Sequence, residues 1–321
     1  MALTRDSCLL LPGSLPQEQA ALRALGQGLP AHTAIAAALR NALVSDVAGS
    51  WSDAERALRG NATDLPAGSE LWAALSANNS VEPAAVYAIA SPLSAALGLT
   101  DLTALDPDSL QLTDADSRAL CDSCNAHLTP EGVRFHFVDA NRWLLAATQR
   151  VDVLTERPGW LIGEPLRPNL PRGSDARLVE RWMNELQMLL YTHPVNVARE
   201  DRGLQPINVV WLWGFSTASA SDSSTTGMQA GSIDAHQVIV IHDFAVAFRK
   251  GDLAGWQQAW SKHATTILDV AHIVLGDTQP RLKVTRRTPS VMRRLLSLLA
   301  SPPTLADSLA RLQAQTATTQ S

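Results

Sequence analysis

The chain has 321 residues, 46% of them hydrophobic and 18% charged. That balance belongs to a globular protein, with length for about two domains or one large α/β domain. The formal net charge of -5 at pH 7 argues against a general grip on nucleic acid or on an anionic membrane, leaving only a local basic patch to reverse it. Three cysteines (Cys8, Cys121, Cys124) are too few for a disulfide framework and fit a reducing compartment. The apolar run Cys8–Leu11 is too short for a signal-peptide core, and no apolar window reaches the length of a membrane span. The expectation is a cytoplasmic protein with no membrane and no nucleic-acid partner.

Cys8–Leu11 reads as a short buried strand closed by Pro12-Gly13. A helix is expected after Pro16, and another over Ala31–Val44, which is rich in Ala and Leu. Residues 45–69 are mixed and read as containing at least one loop. Glu70–Ala77 reads as a helix, and Val86–Ala90 as a strand ended by Ser91-Pro92. A short strand is expected within Asp101–Gln111. Thr113 is placed to cap a helix over Thr113–Leu128, with Leu120, Cys124 and Leu128 on one face. The period then changes from helical to alternating. Gly132–Val138 and Trp143–Ala146, with a turn at Asp139-Ala140-Asn141, predict a hairpin. Residues 156–173 carry Pro158, Gly159, Gly163, Pro165, Pro168, Pro171 and Gly173 and read as an irregular connection. The expected division is an N-terminal α/β part over 1–155, that connection, and a C-terminal α/β part over 174–321 completing the same core.

From Ser174, read as an N-cap, Leu178, Val179, Trp182, Met183, Leu186, Leu189 and Leu190 recur at helical spacing. Pro194 ends or restarts the helix, and Gly203 closes a short segment from Val195 to Arg202. Val209–Gly214 is apolar on both faces, as in a central strand covered by helices. Residues 216–232 read as a loop, His236–His242 as a strand, Asp252–Val274 as one or two helices, and Arg281–Thr285 as a last strand. Residues 289–300 and 304–314 read as helices, with a frayed tail from Gln315. Alternating strands and helices predict a three-layer α/β fold with a mostly parallel central sheet. Ligands would then sit beyond the strand ends, at Pro12-Gly13, Ser91-Pro92, Trp213–Ser216 and His242-Asp243.

One block is distinctive: Met183–Leu190, His193-Pro194-Val195-Asn196, Arg199-Glu200, Gly203, Pro206-Ile207-Asn208 and Trp211-Leu212-Trp213-Gly214. It resembles a bacterial family of cofactor-independent phosphoglycerate mutase-like proteins that includes Rpf-type regulatory proteins. It is also similar to the archaeal-type cofactor-independent mutases of the alkaline phosphatase superfamily. Asn125, His127, Phe135, Arg142-Trp143, Gly251-Asp252 and Trp256 follow the same order, so the likeness covers most of residues 86–260. It implies a reduced alkaline phosphatase-like core. It also implies two metal ions, manganese or zinc, which neutralise phosphoryl charge and activate a nucleophile. The family places an Asp after the first strand, whereas Pro12-Gly13-Ser14 stands here. The departure predicts a catalytically degenerate, regulatory protein without a metal cofactor. A metal-dependent mutase or phosphatase with a rearranged site is the alternative.

Candidate site residues follow from residue chemistry. Asn196, Arg199 and Asn208 could bind a small anion, Arg199 through its planar fork, or could brace a helix–loop–strand unit. His236, His242 and Asp243, with Asp234, are weak metal candidates set against polar strand ends. Cys121-Asp122-Ser123-Cys124 lies mid-helix without a second pair, which favours plain thiols over a redox or zinc motif. The basic run Arg281, Lys283, Arg286, Arg287, Arg293 and Arg294 reads as a solvated face, and Ser14 lacks an assignable base. The expected partner is a small anionic ligand or a protein.

Overall fold

Trp143 and Trp211 bury their rings in one core and Trp256 in another, each sending its indole N–H to a nearby acceptor, and two separate cores form around such anchors. The computed structural model describes residues 7–16, 33–40, 42–47, 49–59, 67–76, 83–97, 101–217, 238–249, 251–277, 280–285 and 304–319. The chain divides into two compact units: residues 1–60 with 233–321, and residues 61–232. The Pro- and Gly-rich connection over 156–173 lies inside the second unit.

In chain order the strands are β1 (Cys8–Leu11), β2 (Leu43–Asp46), β3 (Val86–Leu93), β4 (Ala95–Leu97), β5 (Leu102–Ala104), β6 (Val133–Asp139), β7 (Arg142–Ala147), β8 (Val209–Ser216), β9 (Val238–Val240), β10 (His272–Gly276) and β11 (Pro280–Thr285). The principal helices are α1 (Thr33–Arg40), α2 (Trp51–Leu58), α3 (Ala67–Ser76), α4 (Asp114–Leu128), α5 (Ala176–Tyr191), α6 (Pro194–Asp201), α7 (Asp243–Arg249), α8 (Leu253–Lys262), α9 (Ala264–Asp269) and α10 (Leu305–Thr319).

The first unit holds a sheet of order β2-β11-β10-β1-β9. β1 runs parallel to both its neighbours, β9 and β10; β10–β11 and β11–β2 are antiparallel. Leu9, Leu11, Ile273, Leu275, Leu282 and Val284 join Phe244, Trp256 and Trp260 in the core. The Phe244 ring meets Trp260 edge-on at 4.8 Å, and Trp256 Nε1 donates to the Gly13 carbonyl at 2.8 Å.

The second unit holds a wholly antiparallel sheet, β6-β7-β3-β8, and a small β4–β5 ribbon. Its faces follow the two-residue alternation of strands. Ala88, Ala90, Val133, Phe135, Trp143 and Leu145 pack with Leu120, Cys124, Trp182 and Leu186 of α4 and α5. Tyr87, Leu144 and Ala146 turn the other way, onto Leu71, Trp72 and Leu75 of α3.

The fold is therefore mixed α/β, and the expected mostly parallel sheet is corrected. Helices lie on both faces of the second unit's sheet, so β3 and β8 are apolar on both faces and read like buried parallel strands. For the same reason β8 mimics a central strand while standing at the sheet edge. β3 runs through Pro92 because β7 stops pairing at Ala90, so the missing Pro92 N–H faces no partner there. Leu43–Asp46 leaves the expected helix to pair with β11. Helix α2 was hidden in the mixed 45–69 segment. Its signal is the Ser50-x-x-Asp53 capping box, with Asp53 N donating to Ser50 Oγ at 3.1 Å and Ser50 N to Asp53 Oδ2 at 2.9 Å. Ser174 does not cap α5; its hydroxyl donates to Asp152 at 3.0 Å and Asp175 is the N-cap. Residues 272–274 belong to β10, and α10 extends through the tail to Thr319. The expected helices after Pro16 and over 289–300, and most of the 216–232 loop, lie outside the described residues.

Candidate functional site

Two places carry the residues singled out by sequence. The first is the connection from α5 through α6 to β8. Helix α6 starts at Pro194, where a ring with no N–H suits the first turn. His193 caps it: Nδ1 accepts from the Val195 N–H at 3.2 Å. With Nδ1 as acceptor, the ring proton sits on Nε2 and points at Ser123 Oγ, 2.9 Å away. Burial holds the His193 ring below its ordinary pKa. Protonation would also abolish the cap and put a cation at a helix N-terminus. The folded value lies below the unfolded one, so the unfolded chain takes up the proton first. Stability should be full above the ordinary histidine range, fall as pH drops from about 6.5 towards the lowered folded value, and level off below it. Urea midpoints between pH 7.5 and 5.5 check this. His193→Asn, which keeps a capping acceptor without the titration, should flatten the profile.

Asn196 and Arg199 lie on the buried side of α6. Asn196 Nδ2 donates to the Leu190 and Ile207 carbonyls, both at 2.8 Å, and its Oδ1 accepts from the Ile207 N–H at 2.8 Å. Asn208 clamps Ala95 from the next position: Ala95 N donates to Oδ1 and Nδ2 donates to the Ala95 carbonyl, each at 2.8 Å. Arg199 is fully buried. Its Nε donates to Gln205 O at 3.0 Å and its Nη2 to Leu110 O at 2.5 Å. Its Nη1 makes no hydrogen bond, and its charge partner is Asp116, at 3.8 Å. Glu185, on α5, meets His127 at 3.1 Å and Arg181 at 3.5 Å. The structure thus gathers the three residues into one bracing unit, and both asparagines spend their side chains on main chain.

The second place is the carboxyl end of the parallel strands in the other unit. β1 ends at Pro12-Gly13-Ser14, and the Ser14 hydroxyl donates to Leu11 O at 2.6 Å, so it is tied to its own turn. β9 leads into His242-Asp243. The Asp243 carboxylate holds Lys262 Nζ at 2.6 Å and His263 Nε2 at 2.8 Å. Hydrogen bonds from Lys262 first, then from His263, keep its pKa below the usual carboxylate range. β10 leads into Asp277, a buried residue that sequence reading missed. Its backbone carbonyl accepts from Gly13 N and from Trp51 Nε1. The signal was available: an acidic residue following an apolar run and a glycine. His236 and Asp234 lie outside the described residues. Ser91-Pro92 and Trp213–Ser216 belong to antiparallel strands of the other unit, so neither marks the end of a parallel strand.

Cys121 and Cys124 sit on the buried side of α4. Burial pushes the Cys121 thiol up to about 12, the Asp122 charge adding to it, and pushes Cys124 up as well. Neither is a thiolate at neutral pH, which suits neither redox exchange nor zinc. Of the basic run, only Arg281 and Lys283 lie within the described residues.

No family model matches the chain. It is 30% identical over 105 residues to the 2,3-bisphosphoglycerate-independent phosphoglycerate mutase of Methanosarcina mazei, covering 32% of this chain and 26% of that protein. The corresponding protein of Methanothrix thermoacetophila is 41% identical over 63 residues, 20% of this chain and 16% of its own. That of Methanosarcina barkeri is 27% identical over 176 residues, 48% and 43% of the two chains. The similarity is to cofactor-independent phosphoglycerate mutases. The match spans about a quarter of the length of the M. mazei protein. Among solved structures, a cofactor-independent phosphoglycerate mutase from Thermoplasma acidophilum covers 97% of this chain and 100% of its own at 14% identity and a TM-score of 0.38. At so low a score that likeness carries no structural argument.

These matches correct two expectations. The relatives are mutases, and an Rpf-type regulatory assignment gains no support from them. The expected absence of a metal cofactor is overturned, because likeness to these mutases implies manganese or zinc. Among the described residues, no group of three or more His, Cys, Asp or Glu could hold a metal ion. At Asp243 the Lys262 ammonium already occupies the carboxylate that a cation would need. The described residues alone therefore do not complete a two-metal centre.

Proposed function

We propose that this chain is a phosphoglycerate mutase-like protein of the phosphoryl-transfer class, acting on a small phosphate ester with manganese or zinc. The observation that supports it is the sequence similarity to mutases from Methanosarcina and Methanothrix. The first unit adds a compatible frame. The carboxyl ends of β9, β1 and β10 lie side by side, and open α/β sheets bind ligands beyond such ends. Asp277, His242 and Asp243 follow those strands, and His236 precedes β9 in sequence. Anion binding at Arg199 is the weaker reading, because its fork faces two main-chain carbonyls.

The test loads the full chain with Mn²⁺ or Zn²⁺, measures retained metal by mass spectrometry, and assays interconversion of 2- and 3-phosphoglycerate. About two ions per chain with turnover are expected. His242→Ala or Asp277→Asn should then lower metal retention while the circular dichroism spectrum is kept. The absence of both retained metal and turnover overturns the reading.

A further inference from the structure

The second unit has a cavity of about 520 Å³ at the outer edge of its sheet, and among the described residues no carboxylate lines it. Its wall is β6. Arg134 and His136 are two apart on that strand and so face the same side. They stand opposite Ala146 and Leu144 of β7. The floor is made of small residues, Ala84, Ala146 and Ala147. Thr129 and Thr148 complete the rim with two hydroxyls. Gly132 lets them approach: it adopts φ +79°, and a Cβ there would collide with Thr148 Oγ1. Among the described residues, neither the Arg134 guanidinium nor the His136 ring has a hydrogen bond or an ion pair. In a chain with net charge -5, a hollow whose described lining holds an arginine, a histidine and no acid has the character of a cationic site.

We infer that this cleft binds a small phosphate-bearing anion. Arg134 supplies a planar fork, His136 an imidazole N–H and the threonines two hydroxyl donors, a set that outnumbers the two oxygens of a carboxylate and suits a tetrahedral group. The volume accommodates a small organic phosphate, and the small-residue floor leaves room for its carbon part. The site stands independently of the mutase reading, because it lies in the second unit and requires no metal.

The charge balance also gives the direction of pH dependence. Burial, and after it the Arg134 charge, hold the His136 ring below its ordinary pKa. Among the described residues, the other elements meeting the cavity bring no further titratable side chain: β7 and its end give Ala146, Ala147 and Thr148, the segment before β3 gives Pro83 and Ala84, and the turn before β6 gives Thr129. Glu131 of that turn is engaged by Arg181, at 2.7 Å, and by Trp182. An anion beside Arg134 offsets its field and favours the imidazolium, so binding should raise the His136 pKa and tighten as pH falls.

The experiment titrates the full chain with inorganic phosphate and with glycerol 3-phosphate, using acetate and sulfate as comparison arms. Calorimetry reads affinity, and the His136 ring signal, identified by its loss in His136→Gln, reads the site. Saturable phosphate binding is expected, with an upward shift of the His136 titration. Arg134→Gln should weaken binding about tenfold or more, since it removes the charge-assisted fork. His136→Gln should weaken it and remove the part of the pH dependence that phosphate itself does not explain. Arg142→Gln, an exposed arginine paired with Asp139 outside the cavity, should leave it unchanged. Phosphate binding indifferent to both Arg134→Gln and His136→Gln would place the anion elsewhere and overturn the proposal. So would acetate binding as tightly as phosphate, or no saturable binding. These readouts are separate from turnover, so the mutase reading can fail while the cleft is confirmed.

Discussion

Arg199→Ala should destabilise the second unit by about 3–5 kcal/mol, whether or not phosphate is present. The substitution strips the partners from the Leu110 and Gln205 carbonyls and leaves a cavity at a fully buried position. The buried Leu110 carbonyl left without its donor costs about 1–3 kcal/mol, the more exposed Gln205 carbonyl costs less, and the lost packing of the stem adds to that. Burial already lowers the Arg199 pKa against the opposing pull of Asp116, and Nη1 makes no hydrogen bond. The ion pair is thus the weaker part of what would be lost. Arg199→Met should be milder than Arg199→Ala, because it keeps most of the stem and removes the poorly compensated charge. Urea denaturation followed by tryptophan fluorescence checks both, provided the slope is unchanged. An Arg199→Ala chain as stable as the parent, but no longer stabilised by phosphate, would return Arg199 to the role of ligand-binding residue.

Gly68→Ala should destabilise by about 3 kcal/mol, against the direction that helix propensity predicts. Gly68 is in the first turn of α3, where Ala would ordinarily gain up to about 1 kcal/mol. A Cβ at this position would collide with the Tyr87 carbonyl and lie 2.6 Å from the Ala88 N. Those atoms belong to a strand held between β7 and β8, so they cannot swing aside as a flexible side chain would. The overlap outweighs the propensity by severalfold, because α3 and its Trp72–Tyr87 stack, with centroids 4.9 Å apart, would have to lift from the sheet. Ala73→Gly, at an exposed position of the same helix, should cost only about 1 kcal/mol. A thermal melt of each variant separates the two effects. A more stable Gly68→Ala chain would mean that α3 is not seated on β3 as described.

Local chemistry was legible wherever a short-range rule governed the outcome. The Thr113 cap of α4, the β6–β7 hairpin, the α5 stripe and the break at Pro194 all stand where the residue pattern places them. Element boundaries failed where a distant partner decided them. Leu43–Asp46 became a strand because β11 was there to pair with it. The candidate site was legible as a grouping: Asn196, Arg199 and Asn208 do meet. Their task was not, since carbonyls such as Leu110 and Ala95 leave no trace in side-chain identity. The edge cleft escaped for a related reason. Arg134 and His136 looked like the solvated positions of a hairpin, and their surroundings depend on which residues, such as Ala146, Thr148 and Ala84, the fold places beside them.

Sequence by itself therefore determined the mixed α/β class, the position of most helices and strands, and the likeness to phosphoglycerate mutases. These depend on period, caps and residue identity along the chain. Tertiary structure alone decided strand direction, the two-unit division and the use of each polar side chain. A strand buried on both faces has the same apolar pattern whichever way its neighbours run. A buried donor takes its role from whichever acceptor the fold brings within about 3 Å.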